Sequence, residues 1–222
     1  MSSPSEELPL GLIVPPVPAG VEIPPEPPDV GARALAVASR LLCGASTFFF
    51  LAFLFAYFYL RSLNENQMWH PAHVHPDQGL GAVFIACVLI SALSAVFAGR
   101  RMKVSSPSWL MPAIVSVTLG LAAIAVQCVE YTVQGFGPTD GAYASVFCAW
   151  SAFYLIAVLA TMYWLETQIA TELRARRSPA HPTEGVVKEP DRLIAPGLDA
   201  AVFYWSFLAG IGAVTYVTLY LV

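Results

Sequence analysis

Five apolar stretches, each long enough to cross a lipid bilayer, dominate this chain and leave it few possible folds. They cover about residues 34–60, 80–98, 110–133, 142–170 and 198–222. The hydrocarbon core of a bilayer is about 30 Å thick and an α-helix rises about 1.5 Å per residue, so about 20 apolar residues cross it. Within lipid every backbone N–H and C=O has to be satisfied by the protein itself, which admits helices or a closed barrel. Stretches of this length call for helices. The expected fold is all-α: a polytopic membrane protein, a bundle of five transmembrane helices.

Composition agrees. Of the 222 residues, 57% are hydrophobic and 12% charged, whereas soluble proteins carry about 25% charged residues. The net charge is −4, and no basic cluster is interleaved with aromatic residues, so no nucleic-acid partner is expected. Basic residues are unevenly placed. Arg100, Arg101 and Lys103 follow the second stretch, and Arg174, Arg176, Arg177, Lys188 and Arg192 follow the fourth, while the opposite side carries only Arg61. The positive-inside rule then puts the N-terminus in the cytoplasm and the C-terminus outside.

Residues 1–32 read as a proline-rich, extended tail ahead of a membrane domain over 33–222. The first basic residue is Arg33, so no signal peptide is expected. The apolar residues 8–17 of the tail are expected to lie along a neighbouring subunit, with a fold-back onto the chain's own helices as the other reading. Residues 171–196, polar and broken by prolines, read as a surface connection. There is no internal repeat and no inverted pair of broken helices, which counts against a secondary transporter.

Ionisable groups at membrane depth are the usual pointers to function, and here they are sparse. The histidines His70, His73, His75 and His181 all fall in loops. No haem, intramembrane copper site or proton relay is therefore expected in this chain. Cys43, Cys87, Cys128 and Cys148 lie singly in apolar runs and read as small buried residues. Glu130 is the main exception. Ala113, Ser116, Gly120, Ala123, Gln127, Glu130 and Gln134 recur at steps of three and four, on one helical face. Small residues let another helix approach, and polar ones bond across. Glu130 is thus the anchor of a helix or lipid-headgroup contact, or a carboxylate wetted at the membrane interface, with proton transfer as a third reading. Glu166 is expected at the opposite interface, near Arg174 and Arg177. His70, His73 and His75 have a spacing that would suit Zn²⁺ or Cu²⁺, with loop packing against a partner as the plainer reading. In the first helix Tyr57 and Tyr59 suit an interfacial aromatic belt, with Arg61 at headgroup level.

Three segments resemble subunit III of the haem–copper terminal oxidases, in a divergent five-helix bacterial form. The first runs from Phe48-Phe49-Phe50-Leu51-Ala52-Phe53 through Ala56-Tyr57-Phe58-Tyr59-Leu60 to Trp69 and Pro71. The second is Gln127, Glu130-Tyr131 and then Gly135-Phe136-Gly137-Pro138-Thr139-Asp140-Gly141-Ala142-Tyr143-Ala144-Ser145-Val146-Phe147. The third is Tyr204-Trp205-Ser206-Phe207. Departures are visible as well. Ser46 stands where the family has a buried glutamate, Tyr154 and Ala157 where it has two histidines, and Ser206 and Ala209 where it has histidine and aspartate.

The resemblance implies a chain with no catalytic centre of its own, a structural subunit of a cytochrome c or quinol oxidase. Haem and copper would lie in a partner catalytic subunit I, with subunit II and bound phospholipid as further partners and the tail reaching other subunits of the respiratory complex. Glu130, Tyr131, Gln127, Trp69 and Trp205 become the expected lipid or subunit contacts. A bacterial cytoplasmic membrane is the implied location. The alternatives are an accessory subunit of a nitric oxide reductase, or a small transporter or metal-delivery protein using His70, His73 and His75.

Overall fold

The computed structural model describes residues 30–64, 69, 71, 74–104, 107–177 and 189–222. The tail over residues 1–29, His70, His73, His181 and the rest of the connection over 178–188 lie outside them. The described residues form five helices: α1 (Val30–Ser62), α2 (Gln78–Lys103), α3 (Leu110–Val133), α4 (Ala142–Arg177) and α5 (Glu189–Tyr216), the last continuing into a π-helical turn, Val217–Leu221. All five are long and apolar enough to cross a membrane. No strand occurs among the described residues.

Four of the helices are longer than the apolar stretches that announce them, and α3 matches its stretch, 110–133. α1 has 33 residues and α4 has 36, or about 50 Å at about 1.5 Å per residue, well beyond a core of about 30 Å. Hydropathy marks only the part immersed in lipid, and good helix formers such as Glu172, Leu173 and Arg174 carry the helix onward. The start of α5 differs most. It begins at Glu189, inside the segment expected to be a surface connection, and takes Pro196 into its interior. Proline removes one backbone bond at that point, but Ile194 and Leu198 on either side are buried in the bundle, and that packing holds the turn.

Local signals set the other ends. Asp77 caps α2, its Oδ1 accepting from the backbone N–H of Gly79 (2.8 Å) and Leu80 (3.0 Å). Arg100, Arg101 and Lys103 close the same helix against its negative dipole end. α3 stops at Gly135, whose φ of 64° is a left-handed conformation that glycine adopts without strain.

α5 is the hub of the bundle, touching α1, α2 and α4, while α3 packs between α2 and α4. One end carries the α1–α2 and α3–α4 connections and the C-terminal turn, and is called the loop end below. The other, the basic end, carries Lys103, Arg176 and their neighbours. Arg40 lines the same cavity as Lys103, so the first turns of α1 belong to the basic end. There Lys103 pairs with Asp199 (2.7 Å) and Arg176 with Glu172 (2.6 Å). Glu166 is exposed.

Candidate functional site

The buried residues of α3 are Ala113, Ser116, Gly120, Ala123, Gln127 and Glu130, the stripe read from its spacing; only Gln134, past the end of the helix, is half-buried. The deep part does what small residues allow. A methyl group at Gly120 would collide with the Met162 side chain of α4. Ser91 of α2 donates to the Ser116 carbonyl (2.6 Å) and receives the indole N–H of Trp205 (3.1 Å). One hydroxyl thus joins α2, α3 and α5. Tyr131 Oη lies 2.7 Å from Ser151 Oγ of α4, and Tyr154 Oη donates to the Leu208 carbonyl of α5 (2.9 Å). Hydrogen bonds between helices in a membrane are worth about 0.6 kcal/mol each. Several of them on one seam fix helix rotation more than they add stability.

Glu130 is not a wetted interfacial group. It is 0% exposed. Its Oε2 accepts from Gln127 Nε2 (2.8 Å) and from Tyr220 Oη (2.7 Å), while Oε1 is buried with no hydrogen-bond partner. Tyr220 sits in the π-helical turn, and a methyl group at Gly81 of α2 would strike its ring. The same turn is held by three more donors. Gln78 Nε2 bonds the Tyr220 carbonyl (3.1 Å), Arg61 Nη1 the Val222 oxygen (2.9 Å), and Tyr143 Oη the Leu219 carbonyl. No local pattern in the sequence links Glu130 to Tyr220, 90 residues on.

Trp69 closes the loop end. Its ring lies edge-on to Tyr57 (centroids 5.1 Å apart) and Tyr143 (5.8 Å), and its carbonyl accepts from the Tyr143 N–H (3.1 Å). Tyr57, expected in an outer belt, therefore points inward and is buried, while Tyr59 is exposed. The five nominated contact residues thus find their described partners within this chain. Glu130, Gln127, Trp69 and Trp205 are buried and Tyr131 is half-buried. The substituted positions are also accommodated. Ser46 Oγ lies 3.0 Å from Tyr204 Oη, Tyr154 is buried between the rings of Phe50 and Phe84, Ser206 donates to the Val202 carbonyl (2.8 Å), and Ala209 is buried.

Among the described residues no three His, Cys, Asp or Glu side chains form a group that could hold a metal, and His75 is the one described histidine of the outer loop. At the basic end a cavity of about 670 Å³ lies between α1, α2 and α5. Ala36, Gly99 and Ala195 are among its apolar walls, and Arg40, Lys103 and Asp199 bring charge to it.

Fold and seam define a class: a polytopic helical membrane protein whose interior polar groups tie its own helices together. A family model, cytochrome c oxidase subunit III, matches residues 31–222. Curated relatives named "Cytochrome c oxidase subunit 3" agree. That of Tachyglossus aculeatus aculeatus is 23% identical over 182 residues, covering 79% of this chain and 65% of the relative. That of Lemur catta is 25% identical over 179 residues, 78% of this chain and 61% of the relative. That of Latimeria chalumnae is 25% identical over 195 residues, 85% and 69%. The chain thus spans somewhat under two thirds of the length of the first two. It belongs to the cytochrome c oxidase subunit III family.

Proposed function

We propose that this chain is the non-redox subunit III of a proton-pumping haem–copper terminal oxidase of aerobic respiration, seated beside the catalytic subunit I and in one complex with subunit II. The family match over residues 31–222 carries this reading. Haem and copper belong to the catalytic partner, and this chain supplies a rigid five-helix wall. The large exposed side chains of α1, Leu41, Phe48 and Phe55 among them, give that wall an apolar face for lipid and for the neighbouring subunit. Phospholipid occupies the cavity between α1, α2 and α5, with Arg40 and Lys103 beside its phosphate. The basic end faces the cytoplasm of a bacterial cell, with the N-terminus inside and the C-terminus outside. Residues 1–29 reach other subunits of the respiratory complex. Deleting them is expected to lower the yield of intact complex without melting the helices; an unchanged yield would remove this role of the tail.

The test of the main reading is a reduced-minus-oxidised visible spectrum of whatever purifies with the tagged chain in mild detergent, read together with oxygen consumption. Oxidase haem bands and turnover are expected. A chain that purifies free of any haem protein would overturn the assignment.

A further inference from the structure

A second cavity, of about 700 Å³, lies at the loop end, with Arg61, Asn64, His75, Gln78, Tyr143 and Tyr220 in its wall. Behind it is a much smaller one, about 10 Å³, lined in part by Gln127, Ser151, Tyr154, Thr215 and Tyr220. That is about the volume that one water molecule requires. Leu219 and Tyr220 are the residues common to both, so the C-terminal turn is the wall between them. Tyr220 does two jobs in that wall. Its ring fills the space over Gly81, and its hydroxyl reaches through to Glu130 Oε2.

We propose that Glu130 is a proton-exchange site served from the loop end of the bundle, with Tyr220 as its gate. The decisive atom is Oε1. Both donors near this carboxyl, Gln127 and Tyr220, are spent on Oε2, and Oε1 is buried with no partner. Among the described residues neither ion pair, Lys103–Asp199 nor Arg176–Glu172, reaches Glu130. The anion and the acid therefore differ by one proton, with no described ion pair to lock either form. The titratable groups acting on it are Asp77 at the cap of α2, its own neighbour Tyr131, Tyr143 of α4 and Tyr220. Arg61 and His75 stand farther out, in the vestibule. A proton arriving there has a hydroxyl, Tyr220 Oη, between it and the carboxyl. In one exchange the Glu130 carboxyl gains one proton and the vestibule loses one, with no redox step. The inference holds whether or not the chain assembles with an oxidase.

The test is infrared difference spectroscopy on the full chain, in whatever assembly it purifies with, comparing wild type with Glu130→Gln. The expected result is a carboxylic-acid C=O band that grows as the pH is lowered, shifts in D₂O and is lost in Glu130→Gln. Tyr220→Phe keeps the ring and removes the donor to that carboxyl, so the band moves to higher frequency. His75→Trp narrows the vestibule and slows the D₂O shift. A Glu130 that shows no acid band at any pH the fold survives would overturn the proposal. So would a band that ignores D₂O, or one that Tyr220→Phe leaves in place. An exchange rate unchanged in His75→Trp would overturn the route from the loop end.

Discussion

α1 and α5 are both long transmembrane helices, yet 11% of the apolar window of α1 is buried inside the chain against 50% for α5. The more hydrophobic of the two is the one outside. In water that order would be reversed. In lipid, leucine and phenylalanine gain nothing by choosing a protein neighbour over an acyl chain, so hydrophobicity gets a helix into the membrane and says nothing of its place in the bundle. Small and polar residues decide the place. α5 offers Tyr204, Trp205 and Gly212 to its neighbours, and a methyl group at Gly212 would meet the Tyr154 hydroxyl. α1 buries only Ser39, Phe50 and Tyr57.

The contrast can be broken at its strongest point first. Trp205 is fully buried and its N–H reaches Ser91, so Trp205→Ala is expected to destabilise the bundle by about 3–5 kcal/mol, read as a fall in the melting temperature of the purified protein. Glu130→Ala strands Gln127 and Tyr220 and should cost about 1–3 kcal/mol in the same assay. A cost near zero would mean that the C-terminal turn is held without the carboxyl.

Smaller effects sharpen the comparison. Lys103→Ala breaks a pair whose side chains are 66% and 55% exposed; it should cost under about 1 kcal/mol, and less at high salt. Phe48, on α1, is 79% exposed, so Phe48→Ala should change the stability of the chain by under about 0.5 kcal/mol. If it costs as much as Trp205→Ala, α1 is not the outer helix described above.

How much of this the sequence discloses follows the same physics. The number of spans is legible because lipid imposes a length. The face of α3 is legible because small residues and Gln127 and Glu130 recur with the helical period, and those residues are the ones buried. What Glu130 touches is not legible. Tyr220 comes from the far end of the chain and reaches it through a π-helical turn that no spacing rule announces. Tyr57 misleads for a related reason. An interfacial tyrosine and one that points inward look alike until Trp69 and Tyr143 are folded against it. The beginning of α5 is hidden because prolines and charges mark water, and helices continue into water.

The central proposal is that this chain assembles with an oxidase yet holds none of its redox centres. It is tested most directly by detaching the chain from the purified complex and measuring haem and copper in both fractions. The account predicts that all the haem and copper stay with the remaining subunits and that the detached chain carries neither. Haem or stoichiometric copper travelling with the detached chain would contradict it.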